Sequence, residues 1–238
     1  EIGDGGANTL TGDGGANTLD GRGGRDELNG LGGKDKLIGG KGGDSMFGGK
    51  GGDDMQGDGG KDTMEGGGGK DTMDGGGGND SIDGGGGDDE LFGGGKNDQL
   101  FGGGGKDTLD GGDGRDKLFG GGKQDVLLGR AGGDELTGDA GADTLVGGKG
   151  KDELTGNGGK DTFVFEAKDG NDRITDLGKK DKLGFAIRGL EFEDLKITEK
   201  RGDTLIKYQG GLVRIEDTEA SRIKERQFVF ENALDDFI

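Results

Sequence analysis

The amino-acid sequence predicts an all-β protein, a right-handed parallel β-roll (a β-solenoid) of about nine coils with a small, mostly β cap at its C-terminal end. Three observations lead to this fold class. Glycine supplies 66 of the 238 residues, and proline supplies none. A large apolar residue stands at every ninth position from Leu10 to Phe163, and Asn or Asp stands two residues before each one. Chance does not produce so constant a register, so the chain is a repeat protein.

The repeating unit reads G-x-x-G-x-D-x-U-x, where U is the large apolar residue and positions two and three are usually glycine. Glycine clusters supply the positive φ angles that a tight turn needs. The x-U-x that follows is long enough only for a short strand with one side chain pointing inward. Turn and strand therefore alternate, and two units form one 18-residue coil.

The aspartates indicate what holds such a roll together. One inward apolar side chain per unit is too little burial to offset the ordering of a glycine-rich chain, and the chain has no cysteine for disulfides or thiolate metal sites. Stacked turns would bring two carboxylates and several backbone oxygens together, and all-oxygen coordination suits Ca²⁺ better than Mg²⁺ or a transition metal. The preference of Asp and Gly for turns explains neither why the aspartates keep a constant nine-residue spacing nor why they occur in so many consecutive units.

The predicted calcium ligands are the aspartates at position six and the glycines at position one of the unit. The aspartates are Asp26, Asp35, Asp44, Asp53, Asp62, Asp71, Asp80, Asp89, Asp98, Asp107, Asp116, Asp125, Asp134, Asp143, Asp152 and Asp161, and the glycines are Gly30, Gly39, Gly48, Gly57, Gly66, Gly75, Gly84, Gly102, Gly138 and Gly147. The first two units carry the weaker ligands Asn8 and Asn17, and Lys96 and Lys123 replace glycine at position four. We therefore expect roughly 10–14 bound Ca²⁺ ions, which fill cooperatively because neighbouring sites share a turn.

The stretches GGKGGDSMF, GDGGKDTME and GGGGKDTLD resemble the calcium-binding nonapeptides of the RTX (hemolysin-type) proteins, and the resemblance covers residues 3–164. It implies a parallel β-roll, one Ca²⁺ between successive turns on the same side, and export by a type I secretion system. The expected domains are a β-roll over residues 1–164 and a C-terminal cap with a type I secretion signal over residues 165–238.

The tail has an ordinary composition, and FVF, DRITDL and KLGF predict short strands. Residues 195–217 predict three strands, the last two joined by a turn at Gly210 and Gly211, and SRIKERQFVF predicts a short helix and a strand. Leu128, Val146 and Val164 all stand at position nine of their units. They should form a row of apolar side chains on the outside of the roll, an outer apolar ladder, and we expect the tail to cover it.

Two segments of the tail carry resemblances of their own. DGNDRITDLGKKDKLGF resembles the segment that caps the roll in serralysin-type proteases and other RTX proteins. ENALDDFI is similar to the C-terminus of type I substrates, and a frayed chain end is the alternative.

Composition excludes several functions. The net charge of −19 argues against nucleic acid as a partner, and no run of residues is apolar enough to span a membrane. Histidine is absent, which removes Ser-His-Asp triads, Cys-His pairs and H-E-x-x-H zinc sites. We therefore expect no catalysis here. Because the sequence starts at Glu1 without an initiator Met, we expect a piece of a larger protein whose catalytic domain, if it has one, lies upstream.

Three functional hypotheses follow. The first is a secreted, extracellular calcium-binding domain that folds on Ca²⁺ after type I secretion and aids the export of a larger protein. The alternative is a polysaccharide- or surface-binding module, in which the basic residues before the aspartates, among them Arg25, Lys34 and Lys61, meet an acidic polysaccharide instead of only offsetting the aspartate charge. The third is a designed, consensus-built roll, against which the irregular tail argues.

Overall fold

Successive strands of the chain alternate between two long sheets, and this arrangement confirms the predicted all-β parallel solenoid. The computed structural model describes residues 1–231, 234, 237 and 238. Its two sheets contain 14 and 13 strands, and from β1 to β14 the odd-numbered strands fall in one sheet and the even-numbered strands in the other. Each coil of the solenoid therefore contributes one strand to each wall.

The strands of the repeat region are short, as a unit with a single inward side chain requires. They are β1 (Thr9–Thr11), β2 (Thr18–Asp20), β3 (Glu27–Asn29), β4 (Lys36–Lys41), β5 (Ser45–Lys50), β6 (Asp54–Gly59), β7 (Thr63–Gly68), β8 (Thr72–Asp74), β9 (Ser81–Gly86), β10 (Glu90–Gly95), β11 (Gln99–Gly104), β12 (Thr108–Gly114), β13 (Lys117–Gly122), β14 (Val126–Leu128), β15 (Ala131–Gly132), β16 (Glu135–Gly141), β17 (Thr144–Val146), β18 (Lys149–Gly150), β19 (Glu153–Thr155), β20 (Gly158–Gly159) and β21 (Thr162–Glu166).

The parallel register stacks equivalent positions of the unit on one another. Leu10 pairs with Leu28, and Leu28 in turn pairs with Met46. All eighteen apolar residues of the nine-residue series are buried, with exposed fractions of 0–8%, and they belong to one core cluster. The interior of the roll is therefore a narrow double column of Leu, Met and Ile side chains that ends at Phe163.

Glycine is required in the turns because the backbones of neighbouring coils lie very close to each other there. A Cβ on Gly42 would lie 1.4 Å from the carbonyl oxygen of Gly24 in the preceding coil, so a side chain cannot be placed there without moving the backbone. Lys96 and Lys123 occupy this column and adopt positive φ angles of 88° and 84°. For a residue with a side chain, this left-handed conformation costs about 1–2 kcal/mol.

The tail continues the solenoid before it departs from it. Its strands are β22 (Asn171–Ile174), β23 (Lys182–Ala186), β24 (Lys196–Lys200), β25 (Asp203–Tyr208), β26 (Gly211–Ile215) and β27 (Phe228–Glu231). β22 and β23 add in parallel to the two sheets, and β24, β25 and β26 form the expected antiparallel strands. The predicted strands are confirmed, including the tight connection at Gly210.

Helical structure in the described part of the chain is limited to three 3-10 turns, Phe192–Asp194, Ala220–Arg222 and Glu225–Gln227. The last two replace the short helix predicted for SRIKERQ. Each ends at an extended residue, Ile223 or Phe228, so neither turn continues. Within the described residues, no helix is both long and apolar enough to cross a bilayer.

Aromatic residues close the C-terminal end of the core. Phe165, Phe185, Tyr208 and Phe228 are buried in the same cluster as the apolar column. The ring of Phe185 contacts Tyr208 edge-on, with a centroid distance of 5.3 Å, and lies 5.5 Å from Phe165. These aromatic side chains fill the core at the end where the regular repeat stops.

The outer apolar ladder is covered by the end of the chain, as the sequence predicted. Leu128, Val146 and Val164 are 0–5% exposed and form a second cluster, against which Leu234 and Phe237 pack. Gly184 continues this ladder on β23, and a Cβ there would lie 2.6 Å from the Phe237 ring. The missing side chain of Gly184 therefore leaves the space that the ring occupies.

We expect Phe237→Ala to lower the free energy of unfolding of the calcium-bound chain by about 1–2 kcal/mol, less than the value for a fully buried apolar side chain because Phe237 is partly buried. Gly184→Val should have a similar effect, because its side chain takes the place of the Phe237 ring. Ile238→Ala is the control, since Ile238 is 50% exposed. Denaturant unfolding in calcium measures all three, and equal stabilities for Phe237→Ala and Ile238→Ala would contradict the packing described.

Candidate metal centre

Two rows of buried carboxylates run along the solenoid, one beside each wall. One row contains Asp26, Asp44, Asp62, Asp80, Asp98, Asp116, Asp134 and Asp152, and the other contains Asp35, Asp53, Asp71, Asp89, Asp107, Asp125, Asp143 and Asp161. All sixteen residues are only 0–3% exposed. Each stands at the end of a glycine turn, immediately before a strand, so stacking of the coils aligns the carboxylates.

One oxygen of each carboxylate joins its own coil to the one before it. Oδ1 of Asp62 accepts a hydrogen bond from the backbone N–H of Asp44 at 2.7 Å, and Oδ1 of Asp80 accepts one from Asp62 at 2.8 Å. The same bond recurs along both rows. It satisfies a backbone donor at every turn and sets the orientation of every carboxylate.

The other oxygen has no partner. The Oδ2 atoms of all sixteen aspartates are buried and receive no hydrogen bond. An unpaired carboxylate oxygen buried away from water is costly, and buried charges in proteins are normally paired or bind metals. Sixteen such atoms in regular rows indicate a ligand that is positively charged and is supplied from solution.

Backbone oxygens converge on the same space as the unpaired Oδ2 atoms. At Gly30, a Cβ would lie 2.5 Å from Asp35 Oδ2 and 2.6 Å from the carbonyl oxygen of Gly48 in the next coil. At all ten predicted position-one glycines, the corresponding distance to Oδ2 of the same unit is 2.5–2.7 Å. The structure thus places the unpaired aspartate oxygens beside the position-one glycines, and at Gly30 beside a carbonyl oxygen of the next coil; oxygen donors of this kind fit Ca²⁺.

Burial makes these carboxyl groups reluctant to ionise when no metal is bound. Desolvation raises the pKa of Asp62, Asp98, Asp125 and Asp134 to about 7, although the hydrogen bond to Oδ1 acts in the opposite direction. The charges of neighbouring aspartates in the row raise these pKa values further. The metal-free roll is therefore electrostatically strained at neutral pH.

The first two units, which carry Asn8 and Asn17 in place of aspartate, form different hydrogen bonds from the later units. Asn8 Oδ1 accepts a hydrogen bond from the Asp4 N–H at 2.8 Å, and Asp4 Oδ1 accepts one from Gly6, also at 2.8 Å. Asn17 and Asp13 repeat this arrangement. The Asn side-chain oxygens of these turns are satisfied within the turn, which agrees with the weaker metal binding expected of the first two units.

Two further aspartates extend the rows, and the sequence reasoning missed them. Asp172 Oδ1 accepts a hydrogen bond from the Asp152 N–H, and Asp181 Oδ1 accepts one from Asp161, both at 3.2 Å. They stand 20 residues after their partners, so the nine-residue period did not reach them. The available signal was the retained D-x-U pattern in Asp172-Arg173-Ile174 and in residues 181–183. Burial, with the nearby Asp152 charge, raises the pKa of Asp172.

The outer faces of the roll carry exposed ion pairs between coils. Lys36 pairs with Asp54 at 2.8 Å, and Lys70, which precedes a row aspartate, pairs with Glu90 at 2.9 Å. Exposed pairs of this kind contribute little to stability. They show how basic side chains offset part of the acidic charge of the repeat region.

Comparison with protein families agrees with this geometry. A family model, the RTX calcium-binding nonapeptide repeat, matches eleven overlapping segments that together span residues 2–174. The chain belongs to this RTX repeat family. RTX repeats bind Ca²⁺ at multiple sites, so the calcium prediction is confirmed at the level of the family. Domains of RTX repeats are typically non-catalytic and are typical of secreted proteins.

Solved structures include neighbours of this RTX chain. A subunit of the mannuronan C5-epimerase from Azotobacter vinelandii is 28% identical, with a TM-score of 0.39, over 48% of this chain and 76% of that one. The extracellular lipase LipA of Serratia marcescens is 22% identical, with a TM-score of 0.42, over 82% of this chain and 40% of the lipase. No curated protein sequence matches the chain significantly.

Acidification should stabilise the calcium-free roll. In the folded chain the pKa values of Asp62 and Asp98 are raised to about 7, whereas an unfolded Asp has a pKa of about 3.9. Such a group stabilises the folded state fully below about pH 3.9, and this stabilisation is lost as the pH rises through about 7. In EDTA, we therefore expect strand content, measured by far-UV circular dichroism, to rise between pH 7 and pH 4. A calcium-free chain that loses strand signal on acidification would contradict this expectation.

Asp62→Asn should remove roughly one or two bound Ca²⁺ ions, since each row carboxylate faces neighbouring turns. Loss of one site filled at 100 times its dissociation constant lowers stability by about 2.7 kcal/mol. Asp83→Asn is a matched control, because Asp83 lies on an exposed outer position and makes the same change in charge. Equilibrium dialysis with calcium analysis should show a deficit for Asp62→Asn alone. The row would not be the metal centre if both variants bound as many ions as the parent chain.

Proposed function

We propose that this chain is the calcium-folded module of a larger extracellular protein that leaves the cell through a type I secretion system. In the cytosol the module stays extended, and outside the cell it folds on binding Ca²⁺. Folding beyond the channel stabilises the exported protein and disfavours its return. The observation that carries the proposal is the set of sixteen buried Oδ2 atoms that have no partner in the protein.

The two rows explain why the metal-free chain should remain unfolded. Residues 1–164 carry 33 acidic and 17 basic residues, and sixteen of the acidic ones must become buried when the roll forms. Each unit gains only one inward apolar side chain in return. When Ca²⁺ binds, it supplies the positive charge that the Oδ2 atoms lack, and a site of Asp26, Asp44 and nearby carbonyl oxygens would then be satisfied.

The difference in calcium concentration between the cytosol and the outside of the cell suits a module that is unfolded inside and folded outside. Extracellular calcium-binding modules commonly work at about 10⁻⁴–10⁻³ M, far above the concentration in cytosol. An extended, acidic, glycine-rich chain without disulfides can pass through a channel as an unfolded polymer. The extracellular location and the secretion machinery as partner are parts of this proposal.

We further propose the division into a roll, residues 1–164, and a capping region, residues 165–238, that carries the export signal at its end. In support, β22 and β23 cover the last regular coils and aromatic residues close the core behind them. Of the segment ENALDDFI proposed as the signal, Asn232, Ala233, Asp235 and Asp236 lie outside the described residues.

Folding is tested with the whole chain in EDTA and in millimolar calcium. We expect a low strand signal and a large hydrodynamic radius in EDTA, and a cooperative change to a compact β-rich state on titration with calcium. Magnesium at the same concentration is the control for ionic strength and should leave the chain extended. A chain that is compact and β-rich in EDTA at neutral pH would overturn the proposal.

Export is tested separately, in a bacterium that carries a type I exporter and in the same strain without it. The chain should reach the medium only when the exporter is present, and removal of residues 231–238 should retain it in the cells. Export of the truncated chain at the full rate would show that the signal lies elsewhere. Retention of the intact chain in both strains would contradict the export proposal while leaving calcium-dependent folding in place.

A further inference from the structure

The capping region contains a cleft that neither the calcium sites nor the core accounts for. It has a volume of about 590 Å³ and lies between the loop that follows β22 and the linker between β26 and β27. Leu177, Gly178 and Lys179 form one wall, and residues 217–227 supply the other. The cleft follows the last segment that matches the nonapeptide family, which ends at residue 174, and its lining residues lie outside the nine-residue pattern.

The two walls are fixed to each other by a buried amide. Gln227 is only 6% exposed, and its Nε2 donates to the carbonyl oxygens of Gly178 at 3.2 Å and Asp181 at 3.4 Å. Lys182 Nζ also donates to the carbonyl oxygen of Arg226. Since these bonds cross between the walls, the cleft is formed before any ligand arrives.

The charge of the lining is opposite to that of the rest of the molecule. Lys179, Arg222, Lys224 and Arg226 line the cleft, and Asp217 is the one acidic side chain among the described lining residues. Arg222 also lies 3.4 Å from Glu219, and Lys224 Nζ donates to the carbonyl oxygen of Ser221 at 2.7 Å. In a chain of net charge −19, this concentration of cationic groups from both walls is the place where an anion can bind.

Apolar side chains form the inner part of the cleft. Leu177 and Ile223 line it while packing against the main core. The long methylene stems of the surrounding lysines and arginines add further apolar surface below their charged ends. A ligand in the cleft would therefore contact apolar groups inside and cationic groups at the rim.

We propose that this cleft binds an amphiphilic anion, a molecule with one carboxylate, sulfate or phosphate head on an aliphatic body. The guanidinium groups of Arg222 and Arg226 suit such a head because their donors match the geometry of its oxygens. The aliphatic body lies on Leu177 and Ile223. The cleft volume is in the range of small-molecule sites in proteins. A free fatty acid and the headgroup region of an anionic lipid are the two sources of this chemistry.

Calorimetric titration of the whole chain in millimolar calcium tests the proposal with hexanoate, hexyl sulfate and acetate as probes. Hexanoate and hexyl sulfate should bind saturably, and acetate, which has the head without the body, should bind at least about tenfold more weakly. The variant Lys179→Gln/Arg226→Gln removes one cation from each wall and should weaken hexanoate binding by about tenfold or more. The variant Lys196→Gln/Lys207→Gln makes the same change in net charge at exposed positions of β24 and β25 and should bind like the parent chain.

Circular dichroism and calcium content, unchanged in both variants, establish that the roll is intact. Absence of saturable binding by hexanoate and hexyl sulfate would overturn the proposal, and so would an equal loss in the two variants or equal affinity for acetate. Vesicles of phosphatidylcholine with and without phosphatidylglycerol then separate the sources. Binding only to the anionic vesicles identifies a lipid surface, and binding to hexanoate without vesicle binding identifies a free amphiphile.

Discussion

The structure depends on the neutralisation of carboxylates that the fold buries. From Asp26 to Asp161, every coil places two aspartates where water cannot reach them, with Oδ1 occupied by a backbone donor and Oδ2 unpaired. Nothing else in the repeat region can supply comparable cohesion, because the interior is a double column of single apolar residues and the remaining surface is glycine and charge. The same oxygens that make the roll unfavourable without a cation make it favourable with one, and this is the physical basis of the proposed calcium-dependent folding.

The two oxygens of each aspartate also explain why folding should propagate along the roll. Oδ1 of Asp80 fixes the turn of Asp62 in the previous coil, and Asp62 does the same for Asp44. Because a backbone N–H of the preceding coil orients each carboxylate, a coil can present its aspartate to a metal only when the preceding coil has formed. Nearest-neighbour coupling of this kind is the general behaviour of repeat proteins. The hydrogen-bonded Asn8 and Asn17 turns end the rows on the N-terminal side.

Much of the fold could be predicted from the sequence because a strict nine-residue period determines both the register in which strands pair and which side chains face the interior. Once Leu10, Leu19 and Leu28 lie on the inside, parallel pairing of the coils determines where the aspartates and glycines lie.

The sequence no longer predicted the site beyond the end of the nine-residue period. Asp172 and Asp181 continue the rows, but an insertion of two residues per coil moved them out of phase. The fit of Phe237 to Gly184 and the assembly of the cationic cleft depend on segments distant in sequence, which no local pattern brings together. In place of the predicted helix, two 3-10 turns form, each of which ends at an extended residue, Ile223 or Phe228.

The most direct test of the central claim is a crystal structure of the chain grown in calcium, with anomalous diffraction recorded at long wavelength to locate Ca²⁺. Anomalous peaks should lie along both rows, about 2.3–2.6 Å from the Oδ2 atoms, through the units from Asp26 to Asp161. Oδ2 atoms that remain buried with no peak beside them, in a roll that is nevertheless folded, would contradict it.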